Sequence, residues 1–223
     1  MLLPWRKEVR RMLRPSLADP GDALDGLARG MRCRIIVSSD LARYALVPFS
    51  TAVVGREANE ALAALVFRRT HGERADAWRI RLAPGPIGHP RVACALDAAL
   101  LDRLAAAAEE RGVTLTAIEP AFVAGFNAAY RRLPPSCWLA VVEPGRLVLG
   151  LLIDGRWRHL VAERFSVDVR RALAPALARE GMLVENFEAA ASLPCWMVRF
   201  DPEGASPVEV RPFDANPSAR AAA

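Results

Sequence analysis

Lysine is nearly absent. Lys7 is the only one, so arginine carries almost all of the 30 basic charges that outnumber 25 acids and leave the chain at +5. The arginines are spread along the sequence, with one dense cluster at 6–14. A nucleic-acid binder concentrates its charge on one face or stripe; here the excess of arginine and alanine reads as GC-rich coding, and no nucleic-acid partner is expected. No uncharged apolar run approaches the roughly 20 residues that a membrane helix needs, so no span is expected. The basic N-terminus has no apolar stretch or cleavage site behind it and is not expected to be a signal peptide. Four cysteines (Cys33, Cys94, Cys137, Cys195) stand far apart without a C-x-x-C pair. They read as small buried apolar residues of a reducing cytoplasm.

Signatures of catalysis are missing as well. There is no G-x-x-x-x-G-K-[ST] and no G-x-G-x-x-G after a strand. Gly85, Gly88 and His89 lie in a proline-rich loop at 84–90 that no helix start follows, so nothing there would hold phosphate. His71, His89 and His159 are isolated from one another and from other ligand types, and no metal is expected. Ser38, Ser39 and Ser136 lack a G-x-S-x-G setting. Asp40, Asp154 and Asp168 read as turn and cap residues. Glu143, ahead of Pro144-Gly145, is the carboxylate that stands out, and a turn at a strand end accounts for it. The expectation is a protein with no catalytic residue and no cofactor.

What the sequence does contain is a β-meander. Residues 138–142 and 146–153 are apolar runs joined by Glu143-Pro144-Gly145, and Asp154-Gly155 turns the chain into 156–162; Asp-Gly between apolar runs is a strong hairpin signal. The middle run is apolar at nearly every residue, which suits a strand covered on both faces. Upstream, 34–37 and 44–49 flank Ser38-Ser39-Asp40 and read as a first hairpin over 32–50. Strands are expected at 78–82, 91–96, 113–118 and 195–200. Helices are expected at 22–29, 57–69, 98–111, from 120 to about 133, and at 167–179. Asp97 is a good N-cap and Gly112 a good helix stop. The arm at 5–13 has helical spacing of Trp5, Val9, Met12 and Leu13. Residues 201–223, rich in Pro, Ala, Ser and charge, read as a disordered tail.

This order of segments resembles the actin-like cytoplasmic proteins of type IV pilus and type II secretion machines, the PilM, MshI and GspL cytoplasmic-domain group. The resemblance is carried by 35–49 as an opening hairpin, by the helix–strand–helix run over 97–130, and by 140–156 as a second opening hairpin. It implies an α/β, actin-like (ribonuclease H-like) fold of mixed sheets flanked by helices, with the second lobe truncated. The expected layout is a basic arm and short helix at 1–30, a first lobe at 31–135, part of a second at 136–200, and the tail.

In nucleotide-binding members each opening hairpin carries an Asp-x-Gly turn. Here the first would fall at Ile36 or Val37, and the second is Glu143-Pro144-Gly145, where proline removes a donor. Ser38, Ser39, Asp40, Glu143 and Gly145 are thus expected to be a degenerate nucleotide site. Leu2-Leu3-Pro4-Trp5-Arg6 resembles the segment of PilN that docks on PilM. The resemblance therefore implies that Leu2, Leu3, Pro4, Trp5 and Arg6 are a partner-binding segment that occupies this protein's own groove or that of a neighbour by β-addition, and that the protein's further partners are PilN-like or GspM-like inner-membrane proteins. The implied role is a cytoplasmic assembly factor at the inner face of the inner membrane. Its rivals are an ATPase with an atypical site and a peripheral membrane module using the arm.

Overall fold

The meander is the centre of a five-stranded sheet. The computed structural model describes residues 8–16, 19–166, 168–184, 190, 192–200 and 205–213. Strands β7 (Cys137–Glu143), β8 (Arg146–Ile153) and β9 (Arg156–Arg164) pair antiparallel in sequence order. β10 (Cys195–Phe200) lies parallel to β7 on its other side, and β11 (Pro207–Phe213) closes that edge antiparallel. Period-2 alternation divides the sheet's side chains between two cores. Trp138, Ala140, Val142, Leu149 and Leu151 face helix α4 (Val169–Gly181), with Leu173 and Ala176 among them. Leu139, Val141 and Val148 face helix α3 (Ala121–Ala129), around Phe122. Residues 147–152 of β8 are all buried, as expected of the middle run with both faces covered, and so is every residue of β7.

Two glycines let this sheet come so close to its neighbours. A Cβ on Gly150 would stand 2.5 Å from the Trp157 ring and 3.0 Å from Phe122. One on Gly125 would meet Val141 at 2.9 Å, so α3 rests on β7 through a backbone without a side chain.

The first half of the chain is built differently from the expectation. β2 (Arg32–Val37) pairs in parallel on both sides, with β1 (Glu8–Leu13) and with β6 (Thr114–Pro120). Having no free edge, it makes no hairpin with β3 (Arg43–Val47). β3 instead joins β4 (Trp78–Leu82) and β5 (Arg91–Asp97) in a separate antiparallel sheet, β5 in the middle. The chain re-aims between them because the amides of Leu41 and Ala42 both donate to the Ser38 carbonyl. Hence the two halves do not open alike, and the 32–50 hairpin is corrected to two strands in two sheets.

Helix α1 (Arg56–His71) covers one face of the β3–β5–β4 sheet through Ala63 and Phe67. Helix α2 (Ala98–Glu110) covers the parallel sheet through Leu104 and Ala108, packed with Leu13, Ile35 and Val37. Asp97 caps α2 by accepting from the Leu100 amide at 3.0 Å. Gly112 takes the left-handed φ of 63° at its end, as its position in the sequence predicts.

The arm is also corrected. Glu8–Leu13 is a strand, not a turn of helix, because the open edge of β2 offers a full ladder and the fully buried Leu13 a place in the core. Val9 and Leu13, four residues apart, share a face in a helix and in a strand alike. The segment expected as a helix at 22–29 is a 3₁₀ turn, Pro20–Leu24, capped by Asp19 and Asp22. Pro120 is the N-cap of α3 rather than its first helical residue. The expected tail holds β11 at 207–213, where Val208 and Val210 alternate with polar neighbours opposite β10.

Candidate functional site

The two turns singled out in the sequence meet in space. β2 ends in Ser38-Ser39-Asp40, with the Ser38 amide donating to the Leu13 carbonyl at 2.9 Å and the Asp40 amide to Ser38 Oγ at 3.3 Å. β7 ends at Glu143, and Gly145 turns the chain into β8 at a φ of 73°. The amide of Ser39, fully buried, points at the Glu143 carboxylate and donates to Oε1 at 3.0 Å and Oε2 at 3.2 Å. Ser39 Oγ lies 3.0 Å from Tyr44 Oη, which accepts from the Phe122 amide at 3.4 Å. One buried polar chain therefore ties the β7–β8 turn, the end of β2, strand β3 and the start of α3.

Burial pushes the Glu143 carboxyl above its usual range, and the charge of Asp40 adds to that; hydrogen bonding from Ser39 and Ser38 opposes it without prevailing. Outside it, Asp40 takes Arg164 at 3.3 Å and approaches Arg146 at 4.0 Å. Arg146 Nε is buried without a hydrogen-bond partner among the described residues. Five residues predicted as a degenerate site (Ser38, Ser39, Asp40, Glu143, Gly145) are thus brought to one junction, where the protein's own carboxylate occupies the amide that an anion would use. Ile36 and Val37 take no part in it: both are core residues, on opposite faces of β2.

A second feature was not legible in the sequence. A groove of about 280 Å³ runs between the parallel sheet and the β3–β5–β4 sheet. Cys94 and Leu96 of β5, Leu101 and Ala105 of α2, and Ile118 of β6 line it, with Arg79 and Arg81 on its lip. β4 and β6, which border it, are each paired on one side only among the described residues. Arg79 is held by Asp102 at 2.5 Å, whereas Arg81 donates to the carbonyl of Ile80 and forms no salt bridge among the described residues. Burial drives the Cys94 thiol up to about 12, so it is an inert wall rather than a nucleophile. All four cysteines are free thiols, as expected.

Elsewhere, His159 and Glu180 form a pair the sequence did not suggest, at 2.8 Å, with Arg179 Nε on the other carboxylate oxygen at 2.8 Å. Burial would raise the Glu180 carboxyl, but His159 and Arg179 outweigh it and hold the group below the usual range. His71 packs against Phe67 and Trp78. No group of ligand residues able to hold a metal occurs among the described residues. No helix among them is long and apolar enough to cross a membrane. Leu2, Leu3, Pro4, Trp5 and Arg6 lie outside the described residues.

No protein-family model matches the sequence, and no curated protein does. Among solved structures, the cytoplasmic domain of EpsL, an inner-membrane component of the type II secretion system of Vibrio cholerae, superposes with a TM-score of 0.56 at 11% identity. The match covers 82% of this chain and 69% of that one. The chain has the actin-like fold of the EpsL cytoplasmic domain. Two further matches are looser. The PilM-PilN type IV pilus biogenesis complex gives 0.44 at 16% identity, over 71% of this chain and 49% of that one. A Bacteroides thetaiotaomicron protein of actin-like ATPase fold and unknown function gives 0.43 at 14%, over 68% and 54%. The chain spans about half the length of these last two.

Proposed function

We propose that this actin-like chain is a non-catalytic assembly factor of a type II secretion or type IV pilus platform, working at the cytoplasmic face of the inner membrane by holding an extended segment of a PilN-like or GspM-like partner. The groove between β4 and β6 carries this reading. It joins an apolar floor to two strands with open edges, which is the arrangement that receives an extended chain through main-chain hydrogen bonds. Arg81 on its lip favours an acidic partner segment. The fold it shares with the cytoplasmic domain of EpsL, an inner-membrane component of a secretion system, supports the setting.

Glu143 supports the non-catalytic half of the reading. A nucleotide phosphate at this junction would have to displace a buried carboxylate from the Ser39 amide and then sit beside Asp40. Like charges side by side disfavour it.

The groove is tested by measuring capture of the cytoplasmic segment of a co-encoded PilN-like protein by wild type and by Ala105→Trp, Arg81→Glu and the double variant. Ala105 and Arg81 are exposed, so the fold is expected to survive. A tenfold or greater loss of affinity is expected, and unchanged capture by all three sinks the groove. The rival ATPase is tested by a thermal shift with Mg-ATP, where no shift at millimolar nucleotide is expected and micromolar binding would overturn the non-catalytic reading.

A further inference from the structure

Three exposed apolar side chains, Val54, Ile87 and Phe49, converge at one end of the β3–β5–β4 sheet, and the first two are the most exposed large apolar residues among those described. β3 and β4 both run antiparallel to β5, so the loop after β3 (48–55) and the β4–β5 loop (83–90) leave the sheet on the same side. Val54 is 82% exposed, Ile87 88% and Phe49 42%. All three line one hollow of about 320 Å³ between the loops, together with Asn59 and Arg91. Burying Val54 and Ile87 within the fold would remove unfavourable contact with water, yet both stand on loop tips.

The charges around this end are mostly positive and mostly uncompensated. Arg91 is hydrogen-bonded to the neutral Asn59 side chain and has no carboxylate partner among the described residues. Arg156 and Arg158, at the start of β9, are exposed and unpaired among them. They lie on the side of the 83–90 loop: Asp40, just ahead of β3, pairs with Arg164 at the far end of β9, and Ala83 packs on the same core as Trp157 between the two arginines. The Gly155 amide, next to Arg156, donates to the Pro135 carbonyl at 2.7 Å. That contact draws in the turn before it, with Arg131, Arg132 and the 64%-exposed Tyr130. Against these stand Glu57 and Asp154, both exposed, and Glu60, which is neutralised by Arg56 at 2.8 Å.

We infer that this end of the molecule is a membrane-contacting surface, in which Phe49, Val54 and Ile87 enter the interface of an anionic bilayer and Arg91, Arg131, Arg132, Arg156 and Arg158 meet its phosphate headgroups. Aliphatic tips on separate loops inside a ring of unpaired arginines suit a soft anionic surface better than a second folded protein. Such a protein would have to supply both apolar pockets and several carboxylates. The apolar part anchors and the arginines steer, so attachment weakens as salt screens the charges. The inference is independent of the partner groove, which lies between the sheets and contains none of these residues.

Co-sedimentation of the full chain with vesicles tests it. Wild type is expected to bind phosphatidylcholine vesicles carrying about a third phosphatidylglycerol, to release as salt rises, and to ignore pure phosphatidylcholine. Val54→Asp/Ile87→Asp and Arg156→Glu/Arg158→Glu are each expected to reduce binding at least tenfold while unfolding at the wild-type temperature. Three results would overturn it: no binding of wild type to the anionic vesicles, undiminished binding by both variants, or a concentration-dependent dimer in light scattering that Val54→Asp/Ile87→Asp abolishes.

Discussion

The amide of Ser39 reaches both oxygens of Glu143, 104 residues further along the chain, at 3.0 and 3.2 Å. This contact bolts the end of a parallel sheet to the first turn of the meander. It fills with the protein's own charge the place where an incoming anion would find a donor.

Replacing Glu143 separates its charge from its hydrogen bond. Glu143→Gln keeps an acceptor for the Ser39 amide, whereas Glu143→Ala leaves a buried donor unpaired at a cost of about 1–3 kcal/mol. With its carboxyl raised in the folded state, wild type binds more protons folded than unfolded once pH passes the ordinary carboxyl value. This contribution is therefore lost as pH rises toward the folded value. Urea denaturation is expected to show Glu143→Gln at least as stable as wild type at pH 8 and its advantage vanishing near pH 4. An advantage that grows in acid would contradict the site.

Glu180 is expected to behave with the opposite sign. His159 and Arg179 hold its carboxyl below the usual range, so its contribution is present above the unfolded value and is lost as pH falls through the folded one. Glu180→Gln should be less stable than wild type at pH 7, with the two converging in acid. The same denaturation series reads both residues, and parallel curves for the two variants would refute one assignment.

Gly150 and Gly125 are expected to reject even a methyl group. Gly150→Ala drives a Cβ to 2.5 Å from Trp157, and Gly125→Ala to 2.9 Å from Val141. Overpacking of this kind costs about 1–3 kcal/mol. At about 2–4 °C per kcal/mol for a chain of this size, calorimetry should show each Tm several degrees lower; an unchanged Tm would mean the sheet and α3 can part at no cost.

The first strand is expected to be structural. Leu13→Ala empties a fully buried position beside Ile35 and Val37 and should cost about 2–5 kcal/mol. Deleting 1–14 also bares the edge of β2 and removes the carbonyl that the Ser38 amide uses. Hydrogen exchange should then lose protection across Arg32–Val37, and retained protection would show the strand to be dispensable.

The sequence by itself determined the meander, the α2 cap and stop, and the burial of three of the four cysteines, Cys94 being half-buried. Asp154-Gly155 makes a turn from its own backbone preferences, Asp97 bonds an amide three residues away, and β8 is apolar enough that only a strand covered on both faces suits it. These signals act over a few residues. Which strand lies beside which was decided only by the tertiary structure. Residues 32–37 and 43–47 read as a hairpin, yet β2 is claimed on both edges by β1 and β6, one of them more than 80 residues away in sequence. Val9 and Leu13 fit a helix or a strand until an open edge chooses, and 207–213 is polar enough to pass for tail until β10 offers it a ladder. The junction of Ser39 with Glu143 is of the same kind. Its residues were visible one by one, but only the packing of two sheets against α3 brings them within hydrogen-bonding distance and removes the water that would otherwise have kept that carboxylate ordinary.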